Sequence, residues 1–167
     1  MTGIALTTLV IGYGNVLRSD DGLGWHAAVR LADDPRLAGA MVLQRHQLVP
    51  ELALEVSAAA LVVLVDASHA LPAGTFTVTQ VEREGDSGTT RSHRLSPSSL
   101  VALARDLYGR APDTFLVSAG VGSVELGDRL SPLIEAALPR LVDAVADLVA
   151  SYTEKPRAGP VTDHTQV

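Results

Sequence analysis

VIGYGNVLRSDDGLG, residues 10–24, decides how the chain is read. An apolar run ends at a pair of glycines, passes through polar turn residues and two aspartates, and opens into a helical pattern. That is the order of strand, loop and helix in an α/β fold. A dinucleotide fingerprint would need G-x-G-x-x-G, with the third glycine close enough to bring the helix N-terminus to a pyrophosphate. Here Gly12 and Gly14 are followed by Leu17, the next glycine is Gly22, and no G-K-[ST] follows. Asp20 and Asp21 stand where a phosphate would be received, so the loop favours a cation.

Outward from this loop, continuous Val/Leu/Ile runs alternate with segments of helical period, the pattern of a mostly parallel sheet covered on both faces. Strands are predicted over residues 6–11, 41–44, 61–65, 75–81 and 115–119. Helices are predicted over residues 23–31, 50–57, 96–108 and 131–152. Asp33-Asp34-Pro35 stops the first helix, whereas Pro50, Ser96-Pro97 and Ser131-Pro132 open the later ones. The 61–65 run is the most apolar and is expected at the centre of the sheet, closed by Asp66. Residues 75–81 alternate like a strand with one wet face, and the short loop before them predicts an antiparallel edge. The expected fold class is α/β: a three-layer sandwich with a mostly parallel, five-stranded twisted sheet, one antiparallel edge strand and helices on both faces. Residues 1–152 are read as a single domain, and residues 153–167, with their Pro, Gly, Lys and Thr, as a disordered tail.

Composition narrows the function. A chain of 167 residues with 47% hydrophobic side chains suits one domain with a real core. Nineteen acidic residues against 13 basic give a net charge of −6, which offers no electrostatic footprint for nucleic acid or an anionic membrane. The absence of cysteine excludes disulfides, a thiolate nucleophile and any thiolate metal site within the chain. The first residues lack a basic n-region and read as a strand, so a cytoplasmic protein is expected. The longest apolar stretches, around 58–65 and 141–150, are too short or too charged to span a bilayer. A monomer is expected.

Asp20 and Asp21 open the first helix, where carboxylates oppose the dipole and cap amides. That structural role is favoured for Asp20. Asp21 differs because Asp66, at the carboxyl end of the central strand, lies on the same sheet edge, where open α/β sheets bind ligands. Two carboxylates converging there repel one another unless a proton or a cation sits between them, and a metal is the simpler resolution. A third ligand is sought among five histidines. For His26, His46, His69 and His164 a surface or core role is the better reading; His93, in RSHRLSP just before a helix, has a slight edge over His69. Two carboxylates and an imidazole would suit Zn, Ni or Mn and leave positions open for water or substrate.

Three segments carry a resemblance to a known family. GNVLRSDDGLG (14–24), LVDA (64–67) and the histidine ahead of a helix in SHRLSPSSL resemble the three signature regions of the [NiFe]-hydrogenase maturation endopeptidases, in the same order and at similar separations. The resemblance implies that Asp21, Asp66 and His93 are the metal-binding and catalytic residues, and so selects His93 over His69. It implies a processing protease that acts on the hydrogenase large-subunit precursor after nickel insertion and removes a short C-terminal extension. The nickel would be recognised in the substrate, with zinc or cadmium as surrogates at a site that binds metal weakly in the free protease. Gly14, Asn15 and Gln47 are the expected substrate-binding residues. Many family members carry DGGTxG after the second strand; here HQLVPEL (46–52) stands in its place, with a proline and no glycine. That stretch and GVGSVELGDRLSP (120–132) resemble the members associated with soluble, NAD-linked hydrogenases. Gln47 and Glu51 are read either as crevice residues that touch substrate or as plain helix-start residues, the second reading at least as strong as the first.

No Ser-His-Asp arrangement stands out, since Ser68 and Ser92 lack an elbow motif. Cleavage is expected by water with Asp21 or Asp66 as general base, in preference to direct carboxylate attack. The competing readings are a non-enzymatic nickel-binding accessory protein and a nucleotide-binding α/β domain.

Overall fold

The computed structural model describes residues 7–83 and 94–154. In chain order these form β1 (Thr8–Tyr13), α1 (Leu23–Ala32), β2 (Met41–Arg45), α2 (Ala53–Ala58), β3 (Leu61–Ser68), β4 (Phe76–Gln80), α3 (Pro97–Tyr108), β5 (Asp113–Gly120) and α4 (Pro132–Glu154). The sheet order is β2-β1-β3-β5-β4. β1 is parallel to both neighbours, with Gly12 opposite Gln44 on one side and Val65 on the other. β3 is central and parallel to β5, whose far edge is closed by the antiparallel β4. The expected antiparallel edge strand is therefore present, although it pairs with β5 and not with β3. A turn in which the Thr75 amide donates to the Pro72 carbonyl (3.1 Å) reverses the chain.

Strand alternation divides the apolar side chains between two cores. Leu9, Ile11 and Tyr13 of β1, with Val62 and Leu64 of β3, meet Val56 of α2 and Leu100 and Ala104 of α3. Val10, Val63 and Val65 point the other way, onto Ala27 and Leu31 of α1 and Ile134, Leu138 and Val145 of α4. Burying a Val, Leu or Ile side chain contributes about 1.5–3 kcal/mol, so the central strand, with five fully enclosed residues from Leu61 to Val65, anchors both layers.

The strands extend further than the apolar runs predict. β1 continues to Tyr13, β5 spans Asp113–Gly120, and β3 runs on to Ser68 with Asp66 paired opposite Ser118, so Asp66 does not close its strand. Ladder bonds continue toward the sheet edge, where side chains become polar and hydrophobic pattern no longer marks the strand. Residues 50–57 are likewise divided, into a 3-10 turn (Pro50–Leu52) and α2. Thr153 and Glu154 belong to α4, while residues 155–167 lie outside the described part of the chain. No helix among the described residues is long and apolar enough to cross a membrane.

One close approach positions the site. A Cβ on Gly12 would meet the Gly24 carbonyl oxygen and lie 2.6 Å from the Ala28 Cβ. A Cβ on Gly24 would meet the carbonyl oxygens of Val65 and Tyr13. The first turn of α1 is thereby pressed onto β1 and β3, bringing the preceding Ser19–Gly22 turn over their carboxyl ends.

Candidate active site

The chain leaves β1 toward β2 and returns to β3 on the opposite side of β1, so the strand order reverses between β1 and β3. At the carboxyl ends of these two strands lies a cleft of ≈ 380 Å³, the place where a doubly wound sheet binds ligands. Asp21 and Asp66 both line it, together with Gly14, Asn15 and Gln47. The Asn15 amide donates to the Asp21 carboxylate at 3.3 Å. Gly14 lets the loop fold this tightly, since a Cβ there would meet the Asp21 carbonyl oxygen.

Asp66 is the more perturbed carboxylate. Burial pushes it up to about 6; the Tyr13 hydroxyl and the Ala67 amide donate to its charged form and oppose the rise, Asp21 adds to it by repulsion, and the Arg94 guanidinium opposes it. The Tyr13 phenol is itself held above its ordinary range, first by burial and then by the neighbouring Asp66 charge. The Asp21 charge thus opposes ionisation of Asp66 in a half-enclosed space, and a cation between them would relieve the repulsion. This donor chemistry fits a divalent metal. Among the described residues, however, no three His, Cys, Asp or Glu side chains are close enough to hold one; His93, the expected third ligand, lies outside the described residues.

The other histidines separate clearly. His46 lines the cleft and stacks on Trp25, with ring centroids 5.0 Å apart. His69 is exposed and lines an adjoining pocket together with Asp21. His26 is half-buried, and its Nε2 has no hydrogen-bond partner among the described residues. His164 lies outside them.

Asp20 has a structural role, but not the expected one. Neither the Ser19–Gly22 turn nor α1 has a side-chain cap. The Asp20 carboxylate, fully buried, instead accepts from the amides of Gly122 (3.0 Å), Ser123 (2.8 Å) and Ser131 (2.7 Å) and from the Ser131 hydroxyl (2.7 Å). Burial alone would raise its pKa, but these four bonds prevail and hold the carboxyl below its usual range. Ser19, at φ 52°, donates through its hydroxyl to the Glu125 carbonyl (2.7 Å) and through its amide to Gly127 (2.8 Å). The loop beside Asp21 is therefore tied to the loop that joins β5 to α4. Ser68 Oγ accepts from the Ala70 amide (3.2 Å), a turn bond.

Tyr13 and Arg94 were not among the residues singled out from sequence. Tyr13 had a readable signal: it shares the alternation of Leu9 and Ile11, and continuing the β1–β3 register by one residue places it opposite Asp66. Arg94 had none.

Comparison with solved structures places this architecture. The chain has the fold of the [NiFe]-hydrogenase maturation proteases. It superimposes on the HycI maturation protease of Thermococcus kodakarensis KOD1 with a TM-score of 0.68 at 25% identity, over 86% of this chain and 92% of that one. For the hydrogenase maturating endopeptidase HybD of E. coli the TM-score is 0.69 at 19% identity, over 88% and 94%. An endopeptidase from Escherichia coli solved in solution gives 0.66 at 22%, over 87% and 94%. No protein-family model and no curated protein sequence matches the chain. The structural likeness supports a processing-protease role.

Proposed function

We propose that this chain is an endopeptidase that removes the C-terminal extension of a nickel-loaded [NiFe]-hydrogenase large-subunit precursor. The observation that carries the reading is the convergence of Asp21 and Asp66 on one cleft at the β1–β3 crossover. Burial and the neighbouring Asp21 charge raise Asp66, and a cation between the two carboxylates would offset that repulsion. In this reading the cation is nickel carried by the substrate. Asp21, Asp66 and His93 contact it, which explains how a site of oxygen and nitrogen donors without cysteine selects a loaded precursor. Gly14, Asn15 and Gln47 line the cleft, which in this reading takes the peptide.

For the cleavage step, a water oxygen attacks the scissile carbonyl carbon while a carboxylate of the pair takes the water proton. That proton then passes to the leaving amide nitrogen as the C–N bond breaks. Burial raises Asp66 to about 6 without a cation; nickel beside the pair would favour its charged form, the form that takes the water proton.

The test is incubation of the protein with nickel-loaded and nickel-free precursor, with loss of the C-terminal peptide followed by mass. Cleavage of the loaded form alone is expected. Nickel binding without cleavage of either form would favour an accessory protein and overturn the protease reading.

A further inference from the structure

Adjoining the cleft is a second pocket, of ≈ 200 Å³, that shares Asn15, Asp21 and Arg94 with it and is completed by Arg18, His69 and Val124. Two guanidiniums and one carboxylate give it the opposite sign to the chain, whose net charge is −6. Among the described residues neither Arg18 nor Arg94 takes part in an ion pair, as is also true of Arg45, Arg110, Arg129 and Arg140; what sets Arg18 and Arg94 apart is that both line one pocket.

The Arg18 backbone is held in place, and its exposed side chain makes one long bond. Its Nε donates to the Val124 carbonyl (3.4 Å) and its amide to the Asn15 carbonyl (3.1 Å). The next two residues, Ser19 and Asp20, are fastened to the 122–131 loop by six hydrogen bonds between them in addition to the Asp20 amide bond to Ser123 (2.9 Å). A cation carried on so braced a loop loses little conformational freedom when it binds an anion. The planar guanidinium also suits a carboxylate, which it engages through paired N–H donors.

We infer that this pocket, bordered by Arg18 and Arg94 beside Asp21, is a subsite for a carboxylate on the substrate peptide next to the scissile bond. The carboxylate belongs to an acidic side chain of the extension or to its terminus. The inference rests on the processing reading above: there, substrate nickel offsets the charges of Asp21 and of Asp66, the carboxylate on which Arg94 also acts, and the two guanidiniums are left to attract the anion. Arg18 and Arg94 are specificity-determining residues in this account, and the adjoining cleft keeps the cleavage chemistry.

The test compares wild type with Arg18→Gln and Arg18→Lys on three nickel-loaded precursors: one with its own extension, one with the acidic residues of the extension changed to Asn or Gln, and one lengthened by uncharged residues so that the terminal carboxylate is displaced. On the unaltered precursor, Arg18→Gln should raise KM by about tenfold or more, with kcat much less affected and Arg18→Lys partly restoring KM. The Arg18→Gln penalty should vanish on the neutralised extension if a side chain is bound, and on the lengthened one if the terminus is. An equal penalty on all three precursors, or none on the unaltered one, would overturn the subsite while leaving the protease reading intact. Failure of wild type to cleave any of them would overturn both. Arg94→Gln provides an independent variant from outside the braced loop and should show the same dependence on the substrate carboxylate.

Discussion

Asp20 and Asp66 are both aspartates at the same sheet edge, yet their surroundings drive them in opposite directions, with opposite consequences for stability. Asp66 is raised by burial from 3.8 to about 6. Its contribution to stability is therefore full below about pH 4 and is lost as pH rises through 6, a change of about 3 kcal/mol when a shift of this size is converted at 1.36 kcal/mol per unit. Chemical unfolding followed between pH 4 and 7 should show this loss in wild type and not in Asp66→Asn. The same substitution should stop cleavage while changing stability at neutral pH by no more than about 1–2 kcal/mol, because relief of repulsion offsets lost hydrogen bonds. An active variant, or one that simply unfolds, would contradict the assignment. Asp20, lowered despite its burial by the bonds from Ser123, Ser131 and Gly122, contributes stability that is present above its unfolded pKa and lost as pH falls. Asp20→Asn places an amide N–H₂ among donors already directed at a carboxylate. It should cost about 2–4 kcal/mol in denaturant unfolding and speed hydrogen exchange at the amides of Gly122, Ser123 and Ser131.

The packing of α1 on β1 and β3 depends on Gly12 and Gly24, because each Cβ would run into backbone on the facing element. Backbone cannot move aside as a flexible side chain can, so Gly24→Ala should destabilise by about 3 kcal/mol or more in urea unfolding and displace the loop that carries Asp21. A neutral effect would mean that α1 sits further from the sheet than described. The order of strands and helices was legible in the sequence because each buried strand is a continuous apolar run and Ser96-Pro97 and Ser131-Pro132 mark helix starts. Asp21 and Asp66 were also legible, since β1 and β3 are parallel and end on the same edge. What escaped was whatever depends on partners remote in the chain. The donors to Asp20 come from residues 122–131, more than a hundred positions away. The polar ends of β3 and β5 are fixed by ladder bonds instead of hydrophobic pattern. The Arg18–Arg94 pocket exists only because the first loop and the approach to α3 meet in space.

The protein is a sheet between two apolar cores that presents two converging carboxylates on one edge, in a fold shared with the hydrogenase maturation proteases. The proposed third ligand is tested through pH. A neutral His93 imidazole is lost as a donor when protonated, so nickel binding should weaken as pH falls through about 6.5. His93→Ala should abolish activity and leave only the part of that dependence that Asp66, raised to about 6, supplies, whereas His69→Ala, at an exposed position on the adjoining pocket, should change neither by much, as nickel titration calorimetry and the cleavage assay would report. The most direct measurement compares wild type with Asp21→Asn on the same nickel-loaded precursor, following the precursor mass with time and the Tm of each protein. The variant keeps shape and an oxygen to accept the Asn15 amide but loses the charge. The account predicts that wild type removes the C-terminal peptide while Asp21→Asn leaves the precursor whole with an unchanged Tm; cleavage by Asp21→Asn at near the wild-type rate would contradict it.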